Sequence, residues 1–473
     1  MAFLFDKHRK KSYNTDKSHL MGLKDIMKNI AFCTLIMILS CLIVNANDRI
    51  DDMGSTVGWI KKGDNALRSQ KYEDAIKYYR KAIELSPKDD IANMRLANVY
   101  TKTNSIDKSI EIFETMTKND PGNYLAYYNL GVAYRLKGNY DKEIEMYEKY
   151  ISINTRNADV YCALGDAYCD KGNYDKAIEL FENANKAIPD DANICSSAGR
   201  AYLYKSNYDK AIEMFKKAIN IYPTYVEILN KTGHEYEKEQ SSNTAVAMNS
   251  ISRETNRRLA YTYYCIGDAY FAKENYVESM SSYEKTIEIC NKIIIIDPKN
   301  QKALLLRGAA YAIENKYNRA LDDITQALKI NPKNSLAYND RGIIYSMKGQ
   351  NNLALKDKNK AIELESNRPN AGTFSSRGWT FLDMESYVSA RNDFEKAVTI
   401  DPSQWESILG MAIVNYHQGK TEEAVKYYNH SAEIEPLLKK GSKGIMILEK
   451  RGQYFGIKQK NTIAKLIELS ISH

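Results

Sequence analysis

The chain has 473 residues, 44% apolar and 27% charged, with only nine prolines and a formal net charge of +7. Seven Lys/Arg and three Asp fall in residues 1–46, so the rest holds 60 basic against 57 acidic residues, a balance that argues against a general polyanion-binding surface. Length alone suggests two or three domains.

At the N-terminus, residues 1–29 are basic and residues 30–44, IAFCTLIMILSCLIV, form a 15-residue apolar run. Lys24 and Lys28 precede it and Val44-Asn45-Ala46 comes after it, the layout of an export signal with small residues at a cleavage point. Retention would give a single-span anchor, because the uncharged stretch 29–47 is 19 residues long, near the ~20 needed to cross a bilayer. The basic flank then places the remainder of the chain on the non-cytoplasmic side. Acylation of Cys41 in Ile38-Leu39-Ser40-Cys41 is a third reading, and Met21 is an alternative start to Met1. Residues 47–55 read as a linker.

Beyond it, Tyr100, Tyr134, Tyr168, Tyr202, Tyr236 and Tyr270 fall 34 residues apart, the ladder skips 41 to Tyr311, and it returns to 34 at Tyr345. A fixed period in this range marks stacked repeats, whose units touch only their neighbours, so the length prior no longer applies. Within residues 158–191, Tyr161, Leu164, Gly165 and Tyr168 share one face of a first helix. Gly172 suits the helix end and Tyr174 follows in the turn. Ala177, Phe181 and Ala184 share a face of a second helix, which Pro189 stops. The small Gly165 and Ala177 let the two helices approach, and the large Tyr168 and Phe181 fill the space beside them.

This pattern resembles the tetratricopeptide repeat (TPR) over about residues 56–438, in eleven units starting at 56, 90, 124, 158, 192, 226, 260, 301, 335, 371 and 405. The resemblance implies an all-α, right-handed α-solenoid of stacked helix-turn-helix units, divided here as repeats 1–6 (56–259) and repeats 7–11 (260–438). Closing prolines are expected at positions such as Pro87, Pro121, Pro189, Pro223 and Pro298. Several repeats depart from the pattern. Repeat 3 has Glu143 at the small-residue site, and repeat 9 has Lys358 at the aromatic site. In repeat 6, Asn249 stands where a large apolar residue is expected, and no Gly or Pro separates its second helix from repeat 7. Repeat 7 carries seven extra residues, about two helical turns. Repeats 6 and 7 are therefore the candidate seam. Residues 439–473 predict a capping helix with Ile463, Leu466, Ile467, Leu469 and Ile471 on its apolar face.

The resemblance also implies a concave groove lined by first helices. Carried onto this chain, its lining is Tyr128 and Arg135 in repeat 3, Asp159, Asp166 and Asp170 in repeat 4, and Arg200 and Tyr204 in repeat 5. Repeat 6 adds Glu227, Asn230, His234 and Glu237, and repeat 7 adds Tyr261, Tyr264, Asp268 and Phe271. An acidic and aromatic groove favours an extended or helical peptide with Lys/Arg and apolar anchors. Capture of a chaperone's C-terminal carboxylate, a role some relatives have, is disfavoured because Met94 and Ala163 stand where basic residues would be needed.

No catalytic motif emerges. Gly419-Lys420-Thr421 lacks the glycine of a phosphate loop at Val414, and His234-Glu235 begins no zinc motif because Lys238 follows. His417 and His430 lack a third ligand. The pairs Asp190-Asp191 and Asp322-Asp323 read as solvated helix-end or surface charges. Cys162, Cys169, Cys195, Cys265 and Cys290 have no metal-ligand spacing and read as buried or half-buried thiols, with a Cys162–Cys195 bridge as the alternative. The function expected is a non-catalytic interaction scaffold for a protein or peptide with basic residues, exported or membrane-tethered, with no cofactor, metal or nucleic acid. An envelope-assembly adapter is the alternative within binding functions. A regulatory subunit, or an enzyme using Asp166, Asp268 and His234, is the alternative from another class.

Overall fold

A Gly-seated aromatic ring recurs along the chain and explains how each helix pair closes. In the computed structural model, which describes residues 54–238, 242–366, 369–441, 444–445 and 457–472, Phe181 of one helix lies over Gly165 of its neighbour. A Cβ at Gly165 would drive into the Phe181 ring, and one at Gly131 would come within 2.6 Å of Tyr147. The same seat holds Phe215 on Gly199, Tyr283 on Gly267 and Phe394 on Gly378. Phe181 is 1% exposed, so each such ring contributes about 1.5–3 kcal/mol of apolar burial. In repeat 9 the seat at Gly342 is filled by the alkyl stem of Lys358. Its buried ammonium donates to Ser346 Oγ (3.1 Å), Thr380 Oγ1 (2.6 Å) and the Ser376 carbonyl (3.0 Å).

Among the described residues every regular element is helical. The first helices of repeats 1–5 are α1 (Thr56–Arg68), α3 (Asp90–Lys102), α5 (Tyr124–Lys137), α7 (Ala158–Asp170) and α9 (Ala192–Tyr204). Their second helices are α2 (Tyr72–Leu85), α4 (Ile106–Asn119), α6 (Tyr140–Ile153), α8 (Tyr174–Ala187) and α10 (Tyr208–Lys238). Then come α11 (Ser242–Ala272), α12 (Tyr276–Ile296), α13 (Gln301–Ile313), α14 (Tyr317–Ile330), α15 (Ser335–Met347) and α16 (Asn351–Leu364). The order closes with α17 (Ala371–Asp383), α18 (Tyr387–Ile400), α19 (Trp405–His417), α20 (Thr421–Ile434), a short 3-10 turn (Pro436–Lys440) and α21 (Ile457–Ser472). Asparagines start many of these helices: Asn123, Asn139, Asn173 and Asn334 each accept a backbone N–H of the first turn. Tyr174 is the first residue of α8 rather than a turn residue, and that helix ends just before Pro189.

Contacts divide the described residues into two compact units, the first running to Met116 and including 242–244, the second holding the rest. In the first, Ile60, Tyr79, Leu96, Val99 and Tyr100 form the core, and Tyr79 donates to Asp64 at 2.6 Å. In the second, repeats stack by a regular side-chain register. The helix-capping Lys171 reaches Asp141 of the preceding repeat, and Lys205 reaches Asp175, both 30 residues apart. Farther on, Lys348 donates to Asn318 at the same spacing of 30.

Repeat 6 breaks that register. Lys273 reaches Asp209, 64 residues away rather than 30, and the difference of 34 is one whole repeat. Tyr270 lies against Lys216 (5.8 Å), whereas Tyr168 and Tyr202 find their partners, Glu148 and Glu182, 20 residues back. Ala218 and Tyr222 of α10 pack with Leu259 and Ala260 of α11 and with Cys290 and Ile293 of α12. Repeat 7 thus stacks on repeat 5, and residues 226–238 and 242–257 lie outside that register as the outer halves of two 31-residue helices. The expectation that Pro223 closes a helix fails: it lies inside α10. An internal proline costs about 3 kcal/mol. Here the flanking Tyr222 and Leu229 are buried, and Asn230 pairs with Ser252 of α11 at 2.7 Å, which offsets that cost.

Other expectations are met. The seven extra residues of repeat 7 lengthen α12 to 21 residues against 14 in α8. Helix α21 buries Ile463 and Leu466 on the last repeat as a cap, although Ile471 is exposed. Cys195, Cys265 and Cys290 are buried, Cys162 and Cys169 half-buried, and all five are free, so no Cys162–Cys195 bridge forms. No described helix is long and apolar enough to cross a membrane, and the run 30–44 lies outside the described residues.

Candidate binding strip on the first helices

Helices α5, α7, α9 and the second half of α11 present the expected lining residues as a connected strip. Arg135 of α5 donates to Asp170 of α7 (3.2 Å) and to the fully buried Glu143 of α6 (3.3 Å). Asp166 of α7 accepts from Arg200 of α9 at 2.6 Å, and the Arg200 guanidinium faces the Tyr261 ring of α11 at 5.8 Å. Asp159 accepts from Arg258 of α11 at 3.1 Å. The acidic lining is therefore already matched by arginines of this chain at these three positions.

The aromatic members are held from behind. Tyr128 tilts against Tyr147 (6.0 Å) and Tyr150 (6.2 Å), and Tyr264 meets Tyr283 edge-on at 5.4 Å. Tyr204 packs on Tyr174 at 5.8 Å yet remains 50% exposed, so it offers contact area to a partner. Phe271 differs: it is buried against Tyr276 and offers none. Asn230 sits in the departing helix pair, bonded to Ser252, and the side chains of His234 and Glu237 lie outside the described residues.

Asp268 accepts from the Tyr283 hydroxyl at 2.5 Å. Burial pushes its carboxyl up to about 7, with the Tyr283 bond opposing the shift. On α15 the residue Asp340 keeps a solvent-facing side, yet desolvation by its neighbours raises its carboxyl to about 6, and the charges of Asp268 and Asp340 both act on Tyr264. Burial likewise lifts Glu143 to about 7 against the pull of Arg135. Among the described residues no grouping of His, Cys, Asp and Glu has metal-holding geometry. His417 stacks on Tyr387 and bonds Thr462 at 3.1 Å, joining the cap to the last repeats.

Sequence reasoning missed Arg258, Glu143 as a member of the ion network, and Asp340. It also misread Asp323, which is not a solvated charge. Arg307 grips it with two bonds (2.7 and 2.6 Å), and the Asp323 side chain is 7% exposed. Arg341–Asp357 and Arg377–Asp393 repeat the arrangement. An Arg followed 16 residues later by an Asp, three times over, was the available signal.

Helix pairs of this kind, in register and sharing a lining strip, define a repeat-built interaction protein. Tetratricopeptide repeat models match residues 66–133, 124–157, 156–224, 301–334 and 324–356. The chain belongs to the tetratricopeptide repeat family. No curated protein matches it at a significant level. Among solved structures, yeast Tom70 is 18% identical with a TM-score of 0.38, covering 88% of this chain and 99% of that one. MamA is 28% identical with a TM-score of 0.32, covering 36% of this chain and 92% of that one. YrrB, described as a TPR protein with an unusual peptide-binding site, is 22% identical with a TM-score of 0.29, covering 48% of this chain and 95% of that one. At TM-scores below 0.5, they support neither a partner nor an activity for this chain.

Proposed function

We propose that this protein is a non-catalytic interaction scaffold that receives a peptide segment carrying Lys/Arg and apolar anchors along its first helices. The observation that carries the reading is the alternation of carboxylates with tyrosines on the strip, from Tyr128 and Asp159 to Tyr264, Asp268 and Asp340. Opposite charge steers the encounter and the rings supply contact area at low entropic cost. The apolar run 30–44 and its basic flank support export or membrane tethering, with the repeats on the non-cytoplasmic side.

The test uses Asp340, which is exposed and lies outside the three arginine pairs of the strip, so its reversal breaks none of them. A photo-crosslinker at Tyr204 should trap a partner that one at the second-helix residue Lys149 does not. Asp340→Lys should weaken capture of that partner roughly tenfold, about 1.4 kcal/mol. Equal trapping at both positions, or capture indifferent to Asp340→Lys, overturns the reading. Reversing Asp166 and Asp170 is the less clean experiment, because it also breaks their bonds with Arg200 and Arg135. N-terminal sequencing of the mature protein decides between cleavage after Ala46 and retention.

A further inference from the structure

The helix pair that leaves the stack does not leave the binding strip. Arg258 comes from α11, yet its guanidinium lies 3.1 Å from Asp159, 99 residues away at the second place of repeat 4. Tyr128 of repeat 3 feels both: burial raises its phenol most, Asp159 adds to that and Arg258 opposes it. Beside them, Tyr222 donates to Asn193 (3.0 Å) at the second place of repeat 5, and Tyr225 donates to the Asp190 carbonyl (3.1 Å). An arginine on a helix, next to a carboxylate and a phenol, is the chemistry expected of a basic partner on this strip.

The ion pair itself is weakly held, although Leu259 and Ala260 beside it are packed in the core. The Asp159 side chain is 63% exposed and that of Arg258 34%, so their pairing in water adds under about 1 kcal/mol. Arg258 has a second carboxylate at hand in Glu254, 3.6 Å away on its own helix. Losing Asp159 therefore leaves no unpaired charge.

Building on the peptide-binding reading above, we propose that Arg258 of α11 is a resident occupant of a subsite formed by Tyr128 and Asp159. A partner helix presenting an arginine takes the same subsite by displacing Arg258. Binding at this end of the strip is then a competition between two arginines for one carboxylate, and the affinity of a partner measured on the whole chain includes the cost of displacing the Arg258 side chain.

The test uses the full chain and a labelled synthetic peptide copying residues 246–262, with a twin in which the residue at 258 is alanine. The Arg258→Glu chain, whose Asp159 is released, should bind the peptide roughly tenfold more tightly than the unaltered chain, the equivalent of about 1.4 kcal/mol. The twin peptide should lose that gain, and so should the Arg258→Glu/Asp159→Lys chain. Hydrogen exchange over 246–262 should rise in Arg258→Glu and equally in Asp159→Asn, a milder change on the other partner that keeps the variant set readable should Arg258→Glu unfold. Equal peptide binding by the unaltered and Arg258→Glu chains, or a gain that survives Asp159→Lys, overturns the proposal. If these arms fail while Asp340→Lys still blocks partner capture, the resident-occupant idea falls and the scaffold reading stands. The opposite pattern sinks the scaffold reading alone.

Discussion

Repeats 3–5 and repeats 8–10 use the same ions in opposite ways. In repeats 8–10, Arg307, Arg341 and Arg377 of the first helices grip Asp323, Asp357 and Asp393 of their own second helices, and the carboxylates are 3–7% exposed. In repeats 3–5 the pairs bridge successive first helices, Arg135 to Asp170 and Arg200 to Asp166, with carboxylates 40% and 31% exposed. The first arrangement locks a helix pair from inside. The second lies on the strip, where water reaches it. Burial decides which charges are structural and which remain exchangeable.

The largest expected effect breaks the inner locks. Arg377→Ala strands Asp393 in the interior and should cost about 3–5 kcal/mol in denaturant unfolding. Arg200→Ala leaves behind a carboxylate that water still reaches, Asp166 being 31% exposed, and should cost less, about 1 kcal/mol. Comparable losses would mean that burial does not separate the two sets of pairs.

Next comes the seat under the ring. Gly165→Ala forces a methyl into Phe181 and should cost about 1–3 kcal/mol. Gly308→Ala faces Ile324 Cγ1 at 3.1 Å, an aliphatic neighbour that can turn, and should cost under about 1 kcal/mol. A Gly165→Ala protein melting with the parent would show that the ring shifts freely.

The smallest effect depends on pH. Glu143 is fully buried, and its folded carboxyl is raised to about 7 from the ordinary value of 4.5. Between those values the folded state holds a proton that the unfolded chain has released, so this group's contribution to stability falls as pH rises through that window. Glu143→Gln should change little at pH 4 and stabilise by about 1 kcal/mol at pH 8. The measurement is the difference in unfolding midpoint between the two pH values, and an identical difference in both proteins would contradict the shift.

Most of the helix pairing was legible beforehand because it is written at short range. Tyr161, Leu164 and Gly165 on one face and Ala177, Phe181 and Ala184 on another were readable at helical spacing, and all six are buried. The binding strip was legible as a set of positions but not as a set of partners. Asp159, Asp166 and Asp170 read alike in sequence, yet each meets a different arginine, one of them 99 residues away. Asp323 was misread because the acidic pair was read alone, without the Arg-to-Asp spacing of 16 residues that recurs from Arg307, Arg341 and Arg377.

What the sequence determined by itself is the unit: a glycine seat, a ring to fill it, small residues where helices close, and a final apolar helix to cap the last repeat. These follow from side-chain spacing within a helix or between two joined by a short turn, and any chain with this pattern meets the same constraint. What only the tertiary structure decided is which repeat stacks on which. Repeat 6 keeps its 34-residue length, yet Lys273 bonds to Asp209 across 64 residues and repeat 7 takes its place. The reason is physical. The helix through Pro223 runs on beside α11, with Asn230 bonded to Ser252, and such contacts join residues that no local period connects.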